Sequence, residues 1–501
     1  MVLSCDTGLQ GNLNENIPPR TFLTVDEINL DQDDDQAQER RLVSQVHISW
    51  WGDDPDGYVV GFEFAITDRD WQYSPETEHL AEWVYTESTD SIFVLPIPPG
   101  EKFADVRFTV RAVDNLGERD PKGASVVFPI ENSPPGIELH KFLTAQRDKE
   151  VPPDTTFHVA SFGWTASDPD GDANLSHIEV VMNDTLAQWV RIPVDVNFLS
   201  FRIDDHDGNR GSASVFLGRS FAASGITLDN IKMNDTNTFY IRAVDNADAV
   251  STIDNISWHI KQQTSNVLFI NDFPGSLGAE ALIFHQELLK ALGISQYDYL
   301  QVTDGVAAGG QKVPLSAAFH RPVDPTLNRI LAEWDHIYWI SGDLDRNISY
   351  ALRSTIDFFQ NGGTMFINIP TKRLPDEDPI FQFLPVTRMK PVPVGQTSYQ
   401  VPANSELIPA HPQTLDTLVI RRGSQSAFPL EPVGNARVFY DVTFLTRPFF
   451  TQVPGNIAVG TPDASIIYFG YPMDWIRMDD SLIQSAGNLL RELNFPVDIP
   501  Q

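Results

Sequence analysis

The chain has 501 residues, of which 42% are hydrophobic and 11% aromatic. One hydrophobic core stops growing well below this length, so we expect two to four domains. The chain carries 68 Asp and Glu against 35 Lys and Arg, a formal net charge of −33. Because this charge would repel a phosphate backbone, the composition argues against nucleic acid as a partner.

The N-terminus contains the only cysteine of the chain, Cys5. No disulfide, cysteine-ligated zinc site or cysteine catalysis is therefore expected inside a folded domain. The segment Val2-Leu3-Ser4-Cys5 resembles the end of a bacterial lipobox, which implies a diacylated Cys5 at the mature N-terminus. Residues 1–35 would then be an acidic tether, because the segment that follows Cys5 is polar. No run of 18 apolar residues occurs, so we expect the membrane to be reached only through lipid.

Two segments of the first half of the chain repeat. The sequence ISWWGDDPDGYVVGFEFAITD at 48–68 is similar to FGWTASDPDGDANLSHIEVVMND at 162–184. Likewise, FTVRAVDNLGERDP at 108–121 is similar to FYIRAVDNADAVST at 239–252. The Asp-Pro-Asp-Gly elements lie 114 residues apart and the Arg-Ala-Val-Asp-Asn elements 131 apart. Two copies of one domain are therefore predicted, and the second carries an insertion.

Each copy alternates apolar and polar residues in short runs, which predicts half-buried antiparallel strands and a β-sandwich. We place the first sandwich at 36–133 and the second at 134–263. Both resemble fibronectin type III domains in having a tryptophan on an early strand, namely Trp50 or Trp51 in copy one and Trp164 in copy two. They depart from that family where a tyrosine is usual, since Phe108 and Phe239 stand there.

Acidic turns in both copies could bind calcium, the one cofactor that the sequence suggests. Alternating Asp residues provide the hard oxygen ligands that calcium prefers. The alternative is structural, because Pro at the second place and Gly at the fourth simply build a type I turn. The candidate metal ligands are Asp54, Asp56, Asp114, Asp168, Asp170, Asp172, Asp245 and Asp248.

From residue 264 to 501 the pattern changes to buried apolar runs that alternate with helical spacing. This predicts an α/β domain with a mostly parallel sheet covered on both faces. The predicted strands are 266–270, 336–340, 364–367 and 465–469, and the predicted helices are 279–292, 349–359 and 481–493.

The stretches WDHIYWISGD at 334–343, LRSTIDFFQNGGTMFINIP at 352–370 and IIYFGYPMDWI at 466–476 resemble the class I glutamine amidotransferase-like fold, which has a flavodoxin-like sheet. Catalytic members of that fold use a cysteine at a strand-to-helix turn. Here Pro370-Thr371-Lys372 follows the third strand, so the resemblance implies a non-catalytic relative. Ser341 and Thr371 are the hydroxyl groups that could replace the cysteine in a hydrolase.

Open α/β sheets bind ligands beyond the carboxyl ends of their strands. The side chains expected there are polar, and they could bind a sugar, a metal or a peptide. The other interpretation is that these residues are polar simply because loops at strand ends are exposed to solvent. The candidate ligand-binding residues are Asn271, Asp272, Ser341, Asp343, Asp345, Asn368, Thr371, Lys372 and Asp474.

These features together predict a non-enzymatic bacterial lipoprotein, anchored to the outer membrane on its periplasmic or outer face. It would act as a structural or binding component that docks protein partners in an envelope or extracellular assembly. One alternative is a hydrolase that acts on carbohydrate or peptide through the acidic crevice. Another is a calcium-dependent adhesion module.

The N-terminal prediction can be tested by mass spectrometry of the protein isolated from its native membrane. We expect a mature chain that begins at a diacylated Cys5. An unmodified and uncleaved N-terminus would contradict lipid anchoring.

Overall fold

The computed structural model describes residues 16–25, 44–98, 100–142, 144, 149–152, 154–207, 209–273, 278–301, 325–344 and 347–499. The proposed lipidation residue Cys5 and the ligand candidate Asp345 lie outside these ranges. Within them, none of the helices has the length and apolar character needed to cross a bilayer.

The first repeat folds into two antiparallel sheets that face each other. One sheet has the strand order β1-β2-β5 and the other β4-β3-β6-β7. The strands are β1 Arg20–Val25, β2 Gln45–Asp53, β3 Val59–Asp68, β4 Val84–Thr86, β5 Asp90–Val94, β6 Phe103–Asp114 and β7 Ala124–Glu131.

The core of this first sandwich forms around Trp50. Its ring lies 5.9 Å from that of Phe108, 6.0 Å from that of Phe93 and 6.4 Å from that of Phe62, between centroids. The next residue, Trp51, points outward and is 52% exposed, because successive side chains of a strand face opposite sides of a sheet. Trp50 is therefore the core tryptophan of copy one.

The first sandwich begins earlier in the chain than predicted. Strand β1 pairs with β2 through six residue pairs, from Arg20↔Asp53 to Val25↔Ile48. Residues 16–25 thus belong to the sandwich rather than to an acidic tether that ends at residue 35. The short run at 20–25 was missed because Pro18 and Pro19 precede it and an acidic segment follows it.

The second repeat forms a larger sandwich of two five-stranded sheets, in the orders β15-β14-β13-β10-β8 and β12-β11-β16-β17-β9. Strand β13 pairs with β10 as β5 pairs with β2 in the first sandwich, and the inserted residues add the antiparallel strands β14 and β15 beyond it. The strands are β8 Gly136–Leu139, β9 Thr155–Thr156, β10 Val159–Ser167, β11 Leu175–Met182, β12 Val190–Pro193, β13 Phe198–Asp207, β14 Arg210–Leu217, β15 Ala222–Lys232, β16 Asp235–Asp245 and β17 Asp254–Ile260.

The C-terminal part is built on one sheet, which has twelve strands among the described residues. Five of these strands pair in parallel in the order β19-β18-β20-β21-β29. They are β18 Val267–Asp272, β19 Asp298–Gln301, β20 His336–Ser341, β21 Thr364–Asn368 and β29 Ile466–Phe469.

The rest of this sheet is antiparallel and lies in sequence between β21 and β29. The sheet is therefore mixed, and the prediction of a mostly parallel sheet was wrong for this half. These strands are short or rich in polar residues, so they lack the continuous apolar runs that mark buried parallel strands. They are β22 Val386–Met389, β23 Ser398–Gln400, β24 Glu406–Pro409, β25 Leu418–Val419, β26 Leu430–Pro432, β27 Arg437–Arg447 and β28 Gln452–Gly460.

Helices are a minor component of the described chain. The α-helices are α1 Ala279–Ala291, α2 Pro325–Leu331, α3 Ala351–Ser354, α4 Ile356–Gln360 and α5 Asp480–Glu492. Short 3-10 helices occupy Glu78–Leu80, Asp172–Asn174, Asn347–Tyr350, Pro379–Gln382 and Met473–Trp475.

The second sandwich and the C-terminal part share one hydrophobic core. Phe157 and Val159 of the sandwich belong to the same buried cluster as the parallel strands. The ring of Phe157 meets that of Trp334 edge to face, with 4.7 Å between centroids. The side-chain amide of Gln263 also donates to the carbonyl of Glu333 at 2.7 Å. These contacts fix the sandwich against the C-terminal part.

Glu333 at this boundary provides a pH-dependent prediction. Burial raises its pKa to about 8, although the charge of Arg202 lowers it, and His158 Nδ1 lies 3.5 Å from its Oε2. The folded chain therefore holds a proton on Glu333 between the unfolded pKa of about 4.3 and about 8. Its contribution to stability is present at low pH and disappears as the pH rises through 8.

We expect the melting temperature of Glu333→Gln to depend less on pH between 5 and 8 than that of the unaltered chain. Gln has the shape of the neutral Glu but does not ionise. Equal pH slopes for both proteins, measured by differential scanning calorimetry, would contradict this role of Glu333.

Candidate ligand-binding crevice and acidic turns

The carboxyl ends of the parallel strands meet at one edge of the C-terminal sheet, where a crevice of about 1150 Å³ opens. Loops after β18, β20, β21 and β29 contribute to its walls, together with the start of α1 and residues 422–428. Six of the nine predicted ligand-binding residues line it, namely Ser341, Asp343, Asn368, Thr371, Lys372 and Asp474.

Asn271 and Asp272 are buried beside the crevice and do not line it. The amide of Asn271 donates to Tyr299 Oη at 3.0 Å and to Gln301 Oε1 at 2.8 Å. The carboxylate of Asp272 accepts from Asn347 Nδ2 at 2.5 Å. Asn271 thus bonds to strand β19 and Asp272 to the 3-10 helix Asn347–Tyr350, and neither predicted ligand-binding residue lines the crevice.

Both candidate nucleophiles are engaged in hydrogen bonds with the backbone. Ser341 Oγ lies 3.1 Å from the carbonyl oxygen of Asp272 and 3.2 Å from that of Asp343, and either carbonyl can accept its proton. Thr371 Oγ1 accepts from the backbone N–H of Phe428 at 2.7 Å. Each residue is at most 4% exposed. Their hydroxyl groups therefore stabilise the walls of the crevice.

Asn368 connects the end of β21 to the loop after β29. Its side-chain amide donates to the carbonyls of Phe469 and Tyr471 at 2.9 and 2.8 Å, and its Oδ1 accepts from Met473 N at 3.1 Å. All of its hydrogen-bonding groups thus have partners in the protein. Asn368 therefore shapes the crevice, but its hydrogen-bonding groups are already used within the protein.

The charged groups that reach the crevice are partly exposed. Lys372 Nζ lies 3.0 and 3.2 Å from the two carboxylate oxygens of Asp343. Burial raises the pKa of Asp474, and the guanidinium of Arg422 counteracts this shift. These three side chains, unlike Asn368 and the two hydroxyl residues, present charge to a molecule in the crevice.

The residues of the opposite wall of the crevice were not predicted from the sequence. There the guanidinium of Arg422 lies 4.4 Å from the centroid of the Trp475 ring, and Phe428 and Arg373 also line the space. Adjacent arginines followed by a glycine, at 421–423, are unusual in a chain this acidic. These adjacent arginines were the sequence signal for this wall, but they lie in the antiparallel segment, for which no secondary structure was predicted.

His285 also lines the crevice, from α1. Its Nδ1 is 2.8 Å from Tyr338 Oη. Burial lowers the pKa of His285 to about 3, so its imidazole is neutral at physiological pH. It packs as a neutral core side chain that forms the floor of the crevice.

The acidic turns of the second sandwich bind the linker that enters it. Asn132 Nδ2 lies 2.5 Å from Asp245 Oδ2, and the backbone N–H of Ser133 donates to Asp170 Oδ2 at 2.6 Å. Asp170 Oδ1 also accepts from Ser44 Oγ, in the first sandwich, at 2.5 Å. These carboxylates therefore attach both the linker and the first sandwich to the second.

The first sandwich repeats this arrangement with different residues. Asn16 Nδ2 lies 2.5 Å from Asp114 Oδ2, and the backbone N–H of Ile17 is 3.2 Å from Asp56 Oδ2. Asn-x-Pro-Pro precedes each sandwich, at 16–19 and at 132–135. The linker motif is thus part of the repeat, beyond the two repeated segments found in the sequence.

Two other predicted metal ligands take no part in the linker contacts described above. Asp172 and Asp248 are exposed, and Asp172 Oδ1 accepts from the backbone N–H of Asp168 at 3.2 Å. In the part of the chain that the structure describes, no three His, Cys, Asp or Glu side chains form a group that could hold a metal ion unaided. The contacts observed at Asp56, Asp114, Asp170 and Asp245 are hydrogen bonds to linkers and turns.

Comparison with known proteins gives little further information. No family model and no curated protein matches the chain. Among solved structures, fibronectin(III)-like modules of CbhA from Clostridium thermocellum are similar over 48% of this chain and 95% of theirs, at 16% identity and a TM-score of 0.16. Dimeric latent PorU from Porphyromonas gingivalis matches 50% of this chain and 25% of its own, at 13% identity and a TM-score of 0.17.

Alpha-2-macroglobulin of E. coli matches 49% of this chain and 16% of its own, at 13% identity and a TM-score of 0.15. TM-scores of this size carry no argument about fold. The β-sandwich architecture of the two repeats therefore rests on the strand pairing itself.

The contribution of the Thr371 hydroxyl to the fold can be tested by measuring the free energy of unfolding. Thr371→Val should lower the free energy of unfolding by about 1–3 kcal/mol, because the buried N–H of Phe428 would lose its acceptor. Thr371→Ser keeps that acceptor and serves as the matched control. Urea denaturation of the two variants measures the difference. Equal stability would show that the hydroxyl is dispensable for the fold.

Proposed function

We propose that this chain is a non-catalytic binding protein of the bacterial cell envelope. In this proposal Cys5 carries the lipid anchor, and two fibronectin III-like sandwiches act as spacers. An amidotransferase-like α/β domain without its nucleophile then holds a ligand at the carboxyl edge of its sheet. The protein would act as a component of a larger envelope or extracellular assembly.

The observation that carries the proposal is the crevice. Its volume of about 1150 Å³ suits a small molecule or the end of a chain. One side presents Asp343, Lys372 and Asp474, and the other presents Arg422 against Trp475. An aromatic ring with charged groups of both signs around it is typical of sites that bind polar ligands.

The hydrogen bonds of the two candidate nucleophiles support a non-catalytic function. A serine or threonine nucleophile requires a neighbouring base that accepts its proton. The hydroxyls of Ser341 and Thr371 instead bond to backbone groups, and the low pKa of His285 leaves it a buried partner of Tyr338. The chain contains no cysteine other than Cys5.

The crevice is lined by three cationic side chains and by three acidic ones, Glu280, Asp343 and Asp474, and it is the cationic wall around Arg422 that favours a ligand with an anionic group. Arg422, Arg373 and Lys372 bring three cationic side chains to one cavity of a chain whose net charge is −33. A guanidinium that lies over a tryptophan ring, as that of Arg422 does at 4.4 Å from the Trp475 centroid, can bind a carboxylate through two parallel hydrogen bonds. An acidic sugar or the carboxylate of a peptide has this chemistry.

Isothermal titration calorimetry with glucuronate, N-acetylneuraminate and alanyl-glutamate, and with glucose as the neutral reference, tests this proposal. Binding of an acidic probe should weaken about tenfold or more in Arg422→Ala and in Trp475→Ala, since a charge-assisted hydrogen bond contributes about 1.5–3 kcal/mol. Arg353→Ala removes an exposed arginine that does not line the crevice and is the control. Binding that is unchanged in both crevice variants would contradict the proposal.

A hydrolase is the second candidate, and the position of Asp474 in the crevice favours it, because burial raises the pKa of this carboxyl in the direction that a general acid requires. Incubating unaltered protein with glycans and peptides separates the two functions. Product formation that disappears in Asp474→Asn would replace the binding proposal with the enzyme.

A further inference from the structure

Two carboxylates that line the crevice of the C-terminal part lie near each other. Glu280 stands in the first turn of α1, and Asp474 stands in the 3-10 helix Met473–Trp475. Burial raises the pKa of Asp474, and the charge of Glu280 raises it further. The two carboxylates are therefore close enough to repel each other, and a cationic group held near both would be attracted by both.

Arg422 brings a positive charge close to Asp474. Its guanidinium lies 4.4 Å from the centroid of the Trp475 ring and lowers the pKa of Asp474. The backbone N–H of Arg422 donates to the carbonyl of Trp475 at 3.0 Å, and Tyr471 Oη donates to the carbonyl of Arg422 at 2.7 Å. The arginine and the carboxylate thus stand on segments that are bonded to each other, so the fold determines the spacing between their charges.

Several neutral polar side chains of the crevice are already used within the protein. Ser341, Asn368 and Thr371 form hydrogen bonds with backbone groups. Ser424 Oγ donates to the carbonyl of Ser426 at 2.9 Å. A sugar offers mainly hydroxyl groups, which need such side chains as partners. The crevice therefore favours a ligand that is recognised by its charges.

We propose that the ligand of this crevice is a short peptide with free termini, whose ammonium group is bound by Glu280 and Asp474 and whose carboxylate is bound by Arg422. Resting on the binding function proposed above, this assignment selects a peptide over an acidic sugar. A peptide amino group has a pKa of about 7.7–8.0 and is therefore mainly charged at pH 7. An ammonium group has three donors for the two carboxylates, and a guanidinium matches a carboxylate with two parallel hydrogen bonds.

The size and the apolar surface of the crevice suit more than one amino-acid residue. Its volume of about 1150 Å³ lies above the roughly 300–1000 Å³ of ordinary small-molecule sites. Phe273, Phe428 and Pro472 also line it. These residues provide apolar surface for the side chains of a peptide.

Isothermal titration calorimetry at pH 7 tests the assignment with alanyl-glutamate and N-acetyl-alanyl-glutamate, which keeps both carboxylates but lacks the ammonium group. We expect acetylation to weaken binding to the unaltered chain about tenfold or more, because hydrogen bonds between charged groups are among the strongest in proteins. In the double variant Glu280→Gln and Asp474→Asn, the two peptides should bind alike. Circular dichroism verifies that the variant is folded.

Glu287→Gln is the matched control, since Glu287 is exposed on the same helix and does not line the crevice. This variant should keep the preference for the free amino group. A preference that disappears equally in Glu287→Gln would contradict binding of the ammonium group by Glu280 and Asp474.

The remaining outcomes separate this assignment from the proposed function. Equal binding of the two peptides to the unaltered chain would overturn the assignment and leave the crevice as a site for anionic ligands. A tenfold preference that persists in the double variant would also overturn it, because the effect of the acetyl group would then be steric or arise elsewhere. If none of the acidic probes binds, glucuronate included, both the assignment and the proposed function fail.

Discussion

Hydrogen bonds from linker and turn groups to buried carboxylates determine how the repeats are joined. Each sandwich is entered through Asn-x-Pro-Pro, and the asparagine contacts the Asp of the Ala-Val-Asp-Asn turn. The prolines have no N–H to satisfy and limit the backbone, so a few hydrogen bonds suffice to define the path of the linker. The same Asp also accepts two N–H groups of its own turn, as Asp245 does from Ala247 and Ala249. One carboxylate thus orders the turn and the linker together.

At the other end of the second sandwich the connection is apolar. Phe157 and Val159 enter the core of the C-terminal part, and Trp334 packs against Phe157. The C-terminal crevice is therefore carried on a sandwich that shares its core, while that sandwich is attached to the first by polar contacts. Apolar contacts depend less on pH and salt than hydrogen bonds to carboxylates do. We therefore expect the junction between the two sandwiches to change more with pH and salt than the junction between the second sandwich and the C-terminal part.

Much of this arrangement can be predicted from the sequence, for identifiable reasons. The repeat and the tryptophan core follow from alternation around Trp50 and Trp164. The apolar runs ending at Asp272, Ser341 and Asn368 placed polar residues at one sheet edge. Strand β1 could not be predicted, because its six residues gain their stability from pairing with β2. The antiparallel segment was missed because its short strands depend on partners distant in sequence. With it the Arg422–Trp475 wall was also missed. Asn271 and Asp272 do not line the crevice, because they are buried and bond to strand β19 and to the 3-10 helix Asn347–Tyr350.

The carboxylate contacts at the junction hold the two sandwiches in one orientation. A distance measurement by double electron–electron resonance tests it directly, with spin labels at Glu87→Cys and Asp229→Cys, both exposed, in a Cys5→Ser background. We expect a single narrow distance distribution, which broadens when Asn132→Ala and Asp170→Ala are introduced together. A broad distribution in the chain with its linker contacts intact would contradict it.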